Sequence, residues 1–156
     1  MGQGKERDAL RDRAKAVTKK MRDNYVEGRL GLVIDGTGKD YSKITSQANQ
    51  LKQIGYDVHM VFINTSLDVA LERNRNRPRT VPEKITIDSW NKVQKNIGAF
   101  QRFFGNKNFV IVDNNEISDN VFDMVGKQVR RMLSKKVDNP TAKAWIENEL
   151  RKKRRT

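Results

Sequence analysis

Cysteine is absent from the 156 residues, which rules out a disulfide framework and a thiolate-ligated zinc. Histidine occurs once, at His59. One imidazole supplies neither a histidine-based metal centre nor, by itself, a Ser-His-Asp triad. No apolar run approaches the ~18 residues of a membrane-spanning helix. The charged N-terminus, with Lys5, Glu6, Arg7 and Asp8, is unlike a signal peptide. The expectation is a reducing, cytoplasmic setting with no membrane partner. Internal repeats and flexible inter-domain linkers are missing too.

What the chain has in excess is positive charge. The formal net charge is +13, with an isoelectric point near 10.2, which favours polyanionic partners such as nucleic acid or nucleotide phosphates. Charged residues make up 33% and hydrophobic ones 36%, so the core must be small or the helices long and polar. The length suits a single α/β domain. Within it, residues 1–27 read as an N-terminal helix, 28–115 as a sheet core with a lid, and 116–156 as C-terminal helices.

From Lys5 to about Val26, apolar residues recur at Leu10, Ala14, Val17, Met21 and Tyr25, the spacing of one helical face. The Gly4-Lys5 pair before it is not a Walker A loop: there is no preceding strand, no glycine at the required offset and no Ser or Thr after the lysine. A buried strand is predicted at Leu30–Asp35, then a helix carrying Tyr41, Ile44, Ala48, Leu51 and Ile54, capped by Asp40 and stopped at Gly55. A second strand is predicted at Val58–Ile63, followed by a short helix that Thr65 or Ser66 caps. Arg73, Arg75, Arg77 and Arg79 alternate up to Pro78 and Pro82, in a segment not expected to stay helical past Asn76. A helix from Ile87 to Phe104, a strand at Phe109–Val112 and two further helices complete the chain. The last helix starts at Asn139-Pro140, a cap followed by proline in the first turn, and ends in the basic cluster Arg151–Arg155. His59, inside an apolar strand, reads as structural; Trp90 and Trp145, on helical faces, read as core. The expected architecture is a small three-stranded parallel sheet flanked by helices, one strand-helix unit short of most nucleotide-binding sheets.

Two segments carry chemistry. An apolar strand ending in Asp35 places a carboxylate at the C-terminal edge of a sheet, where it can hold magnesium or its water. Asp35-Gly36-Thr37-Gly38-Lys39 is not itself the phosphate loop, because Val33 stands where the first glycine should be and Asp40 where Ser or Thr should be. The arginine segment lies where phosphate-loop kinases carry a mobile lid that neutralises charge on the transferring phosphoryl group. Arginine suits this because its planar fork engages phosphate oxygens and remains charged.

The run Gly28–Asp40 resembles the (D/E)-G-T segment of zeta-toxin-like kinases, phage-encoded relatives in particular. Val61–Asn74 and the following Arg79-Thr80-Val81-Pro82 resemble the same family in the same order. The resemblance covers roughly Ala14 to Asn115 and implies a P-loop NTPase-like fold lacking the phosphate-loop strand, with ATP and Mg2+ as cofactors. On it, Asp35 matches the acidic position of the motif and Thr37 its threonine, with Lys39 beside them on the substrate side. Arg73 and Arg79 match lid arginines that contact ATP phosphates, and Arg75 and Arg77 flank them as further cofactor contacts. Asp35, Arg73 and Arg79 are thus the candidate catalytic residues and Asp35 the candidate metal ligand. The phosphate-loop lysine and the catalytic base of the family have no counterpart in these residues.

Two readings follow. One is a remnant or split half of an ATP-dependent kinase, acting on a nucleotide, a phosphorylated small molecule or a polynucleotide, and inactive alone. The other is a basic nucleic-acid-binding module contacting its ligand through Arg73–Arg79 and the C-terminal tail. Loss of a central phosphate-loop strand leaves apolar strand edges, so the first reading predicts that Leu30–Asp35 pairs directly with Val58–Ile63, or that another chain or copy complements the sheet.

Overall fold

The computed structural model describes residues 2–116 and 118–154; Met1 of the glycine-rich opening and Arg155 of the basic tail lie outside the described residues. The chain forms two compact units, Met1–Gly36 and Thr37–Thr156.

The first unit is built on helix α1 (Gly2–Glu27). No proline interrupts it, and Ala, Lys, Arg and Met, all good helix formers, dominate its length. Gly4-Lys5 therefore sits within a helix rather than in a phosphate loop. The expected apolar stripe is present and exposed, with Leu10 at 65% and Val17 at 59% relative accessibility. The helix stops in a Schellman arrangement: Leu30 N–H donates to Tyr25 O (2.9 Å) and Arg29 N–H to Val26 O (3.2 Å). The left-handed position falls on Arg29 (φ 54°) rather than on the preceding Gly28. A side chain there costs about 1 kcal/mol relative to glycine. Arg29→Gly should therefore slow exchange of the Leu30 amide several-fold, although it forfeits the Arg29 Nη1–H bond to Val26 O (2.7 Å).

The predicted strand Leu30–Asp35 is not a strand. Its residues are irregular, and the sheet contains only two strands among the described residues. The predicted pairing with Val58–Ile63 is likewise absent, so the three-stranded sheet is corrected to two. The apolar run was strand-like in composition, but a strand exists only where a ladder satisfies its backbone. Here Val33 is fully exposed (102%), and no strand pairs with the run among the described residues.

The second unit begins with helix α2 (Tyr41–Gln53). Asp40 Oδ1 accepts from Lys43 N–H (3.0 Å) as the expected N-cap. After α2, Gly55 takes φ 109°, and a Cβ there would sit 3.4 Å from Ala142 N, so glycine serves both the turn and the close approach of a later helix. Strand β1 (Met60–Asn64), helix α3 (Leu67–Arg75), helix α4 (Glu83–Phe104) and strand β2 (Phe109–Asp113) follow. Ser66 Oγ caps α3 by accepting from Val69 N–H (3.4 Å). Helix α4 starts one turn earlier than periodicity suggests, immediately after its N-cap residue Pro82. Helices α5 (Asp119–Leu133) and α6 (Pro140–Lys153) end the chain.

Strands β1 and β2 pair in parallel, Met60 opposite Phe109 and Asn64 opposite Asp113. The core gathers on one face of this ladder: Phe62 and Phe109 pack with Phe100 and Phe104 of α4 and Ala48 of α2, with Tyr41, Ile44, Val93 and Ile97 around them. Phe100 is completely buried and lies 5.2 Å, ring to ring, from Tyr41. Trp90 is half-buried, and its indole N–H donates to Thr65 O (2.9 Å), a structural position. Trp145 is not core: it is 58% exposed. Helix α6 docks through its first turn, where Asn139 Nδ2–H donates to Lys52 O (2.7 Å) and Tyr56 O (3.1 Å). Its later turns, with Trp145, Ile146 and Leu150, stand exposed.

Candidate functional site

In parallel α/β sheets, ligands bind outside the C-terminal ends of the strands. Here that edge carries Asn64-Thr65-Ser66 at the end of β1 and Asp113-Asn114-Asn115 at the end of β2. Short polar residues follow each strand and stitch the two ends together. Asn114 N–H donates to Asn64 O (2.8 Å). Asn115 Oδ1 accepts from Ser66 N–H (2.6 Å), while Asn115 Nδ2–H donates to Asp113 Oδ1 (2.6 Å). Gln94 Nε2–H, from α4, reaches Asn64 Oδ1 (2.8 Å). The edge is thus a rigid polar rim.

Arg73 joins the arginine segment to that rim, its Nη2–H donating to Asn115 O (3.3 Å). Helix α3 ends at Arg75, with Asn76 as its C-cap, as the two prolines predict. Beyond it the chain loops back, because Asn74 is amide-paired with the backbone of Val81. Asn74 Nδ2–H donates to Val81 O (2.7 Å) and Asn74 Oδ1 accepts from Val81 N–H (3.0 Å). Asn74 is 6% exposed, so its amide is satisfied in a buried position, as a stable fold demands. Arg75 Nε–H is paired with Glu83 Oε1 (2.7 Å) at the start of α4. Arg77 and Arg79 are exposed, and among the described residues their side chains make no hydrogen bond or ion pair. The segment expected as a mobile lid is a loop pinned at both ends.

Thr37, Lys39 and the start of α2 are placed by Asn96 of α4, whose Nδ2–H group donates to Gly38 O (3.0 Å) and Lys39 O (3.1 Å). Gly38 is buried there at φ 73°. Both Thr37 and Lys39 have exposed side chains. Asp35 belongs to the first unit and is exposed. Among the described residues no group of three or more His, Asp or Glu side chains is arranged to hold a metal ion. Asp35 is therefore a single carboxylate, which suits Mg2+ only when phosphate oxygens supply further ligands. The arginines are cations whose planar forks suit phosphate oxygens; among the described residues the carboxylates alone do not build a magnesium site.

His59 stays structural. Burial first, and then the charge of Lys135, hold its pKa below the ordinary histidine value, with Asp57 opposing. Among the described residues its Nδ1 is buried with no hydrogen-bond partner. The residues that sequence reasoning passed over are Asn74, Glu83, Asn96 and Asn115. None of them lies in a periodic pattern, and their work is done on backbone groups distant in sequence.

No helix among the described residues is long and apolar enough to cross a membrane. No curated protein and no solved structure matches the chain. The zeta toxin family model does, over residues 4–123, a span that takes in α1, the Asp35–Lys39 segment, both strands and the whole arginine loop. On that match the chain belongs to the zeta toxin family of P-loop kinases.

Proposed function

We propose that this chain is the arginine-loop half of an ATP-dependent phosphotransferase, one that binds nucleotide phosphates and needs a second segment for phosphoryl transfer. The observation that carries the reading is the pinned loop Asn74–Val81, held beside the C-terminal rim of a parallel sheet in a chain of a kinase-like family. Arginine forks there neutralise phosphate charge by paired, charge-assisted hydrogen bonds. Arg73 and Arg79 contact the nucleotide, and Arg75 and Arg77 extend the same positive field. Thr37 and Lys39 serve the acceptor side; Asp35, on the first unit, is the residue that would hold Mg2+ once phosphate oxygens complete its shell. Bound ATP supplies the phosphoryl group; the chain's own residues hold and orient it.

The second segment is proposed because the 156 residues contain no Gly-x-x-x-x-Gly-Lys-Ser/Thr. The open edge of β1 supports this. Met60 N–H bonds Asn108 O, and Asn64 O accepts from Asn114 N–H. By the alternation of a parallel ladder, Val61 and Ile63 turn their N–H and C=O groups to the opposite side, where no strand pairs among the described residues. A strand carrying the phosphate loop, supplied by polypeptide other than these 156 residues, is the proposed occupant. The phosphoryl acceptor is a nucleotide, a phosphorylated small molecule or a polynucleotide.

The test is equilibrium binding of Mg-ATP and of a single-stranded oligonucleotide over a salt series. The expected result is preference for Mg-ATP, with affinity falling about 100-fold in Arg73→Ala/Arg79→Ala, on the scale of two charge-assisted hydrogen bonds. Tighter oligonucleotide binding that collapses steeply with salt, with ATP binding unaffected by the double substitution, would replace this reading with the basic-module one.

A further inference from the structure

The four arginines of the loop are not equivalent. Arg73 gives one donor to Asn115 O (3.3 Å), and Arg75 is paired with Glu83 at 2.7 Å. Arg77 and Arg79 remain uncommitted among the described residues. Both stand on the stretch that Asn74 closes against Val81. That stretch, Arg75-Asn76-Arg77-Pro78-Arg79-Thr80, has no glycine. Pro78 presets its own φ and restricts Arg77. The first turn of the loop is fixed by Asn76 N–H on Glu72 O (3.1 Å) and Arg77 N–H on Asn74 O (3.3 Å). These bonds hold both ends of the loop before a ligand arrives, which lowers the ordering cost of binding.

Glu83 lies at the other root of the loop, in the first turn of α4. Its pair with Arg75 is exposed, with side-chain accessibilities of 61% and 52%. Such a pair is held weakly, within about five-fold in an equilibrium constant. It is strong enough to bias where Arg75 points in the free protein. It is weak enough for a multiply charged phosphate chain to displace.

We infer that Asn74 and Glu83 set the affinity of the loop for a polyphosphate. Asn74 closes a preformed cradle that presents Arg77 and Arg79, and Glu83 is a built-in competing anion that holds Arg75 out of it. Asn74 is a positioning residue, acting through backbone that it never passes on to the ligand. Glu83 is an internal brake. The inference rests on the reading of the loop as a phosphate site. It goes further in making Arg77 a phosphate contact alongside Arg73 and Arg79, and in giving roles to two residues that touch no phosphate. The ligand class is a linear polyphosphate, the triphosphate of a nucleotide being one source and inorganic polyphosphate another.

The experiment is calorimetric titration of the whole chain at low salt with tripolyphosphate, ATP and orthophosphate. It covers the wild type, Glu83→Gln, Glu83→Gln/Arg75→Ala, Arg77→Ala/Arg79→Ala and Asn74→Ala. Glu83→Gln should tighten tripolyphosphate binding about three-fold, and adding Arg75→Ala should abolish that gain, because released Arg75 is its source. Arg77→Ala/Arg79→Ala should weaken binding about 100-fold. Asn74→Ala should weaken it about ten-fold, with amide exchange accelerated at Val81 while the Phe100 and Val112 amides keep their protection. That confined pattern is one a merely destabilised core would not give. ATP should follow tripolyphosphate, and orthophosphate, with fewer charges and fewer acceptor oxygens, should bind at least ten-fold more weakly.

A neutral or weakening effect of Glu83→Gln overturns the brake. So does a gain that survives removal of Arg75, since loss of negative charge alone would then explain it. Both outcomes rest on substitutions of exposed side chains and do not depend on Asn74→Ala folding. If the wild type binds tripolyphosphate but these differences are flat, the assignment falls and the phosphate reading survives. If the wild type binds none of the three ligands, both fall together.

Discussion

Phe100→Ala should lower the unfolding free energy of the second unit by about 3–5 kcal/mol, the range for truncating a buried aromatic. The size follows from how little else the core contains. Five side chains form the buried cluster, and Phe100 is the only one wholly removed from solvent. It touches Tyr41 of α2 (5.2 Å between centroids) and Phe104 of its own helix (6.4 Å). Truncation therefore opens a cavity between α2, α4 and the sheet at once. Natural domains hold about 5–15 kcal/mol in total, and a core this small belongs at the low end, so the variant should be largely unfolded at 37 °C. Urea titration followed by tryptophan emission measures it, Trp90 being anchored to Thr65 O at the sheet rim. A midpoint shift worth less than about 1 kcal/mol would show that the aromatic cluster is not what holds this unit together.

Asn139→Ala is expected to cost about 2–3 kcal/mol, more than an ordinary cap, because Asn139 works on two helices. Its Oδ1 accepts from Thr141 N–H (2.9 Å) and Ala142 N–H (3.4 Å), capping α6. Its Nδ2–H group donates to Lys52 O and Tyr56 O, which close the end of α2. An N-cap contributes about 1 kcal/mol, and each net hydrogen bond to a half-buried carbonyl about as much again. Asn139→Asp keeps the acceptor and loses the donor, so it should recover the cap portion alone. Limited trypsin digestion reads the outcome: α6 carries Lys143, Arg151, Lys152 and Lys153, and an undocked α6 that unravels offers its backbone to cleavage at all four. Equal cleavage rates for wild type and Asn139→Ala would mean that α6 is held by something other than this side chain.

The legible parts of this chain were those written in local chemistry. Asp40, Asn139 and the Thr65-Ser66 pair were readable as caps because a short polar side chain before an apolar-periodic run has one common use; the structure picks Ser66 from the pair. The end of α3 was readable from Pro78 and Pro82. The arginine loop was readable as a cationic segment, and its family likeness agrees with the match over residues 4–123. What could not be read was whether a run with strand composition would find a ladder. Leu30–Ile34 and Val58–Ile63 look alike in sequence, yet only the second acquires a partner, because pairing is a property of two segments. Trp145 misled for a related reason. A helical face announces that it is apolar but not how far along its length a neighbour extends. At the site, all four arginines were visible, but the division of labour among them was not. It is decided by Asn74, Glu83 and Asn115, whose partners are chosen by the fold.

Ser66 and Asn115, joined by a 2.6 Å hydrogen bond across the sheet rim, are 49 residues apart in the chain. Everything between them must be laid down before the two strands can meet: α3, the arginine loop and α4. Helices form within about a microsecond, whereas parallel pairing across a long crossover carries the full cost of closing that loop and is slow. These rates predict assembly from the helices inward, with the rim that carries the arginine loop completed last. Until it closes, the strands Met60–Asn64 and Phe109–Asp113 present unpaired apolar backbone, and the time spent in that state, more than the final stability, sets how readily the chain is lost to aggregation during synthesis.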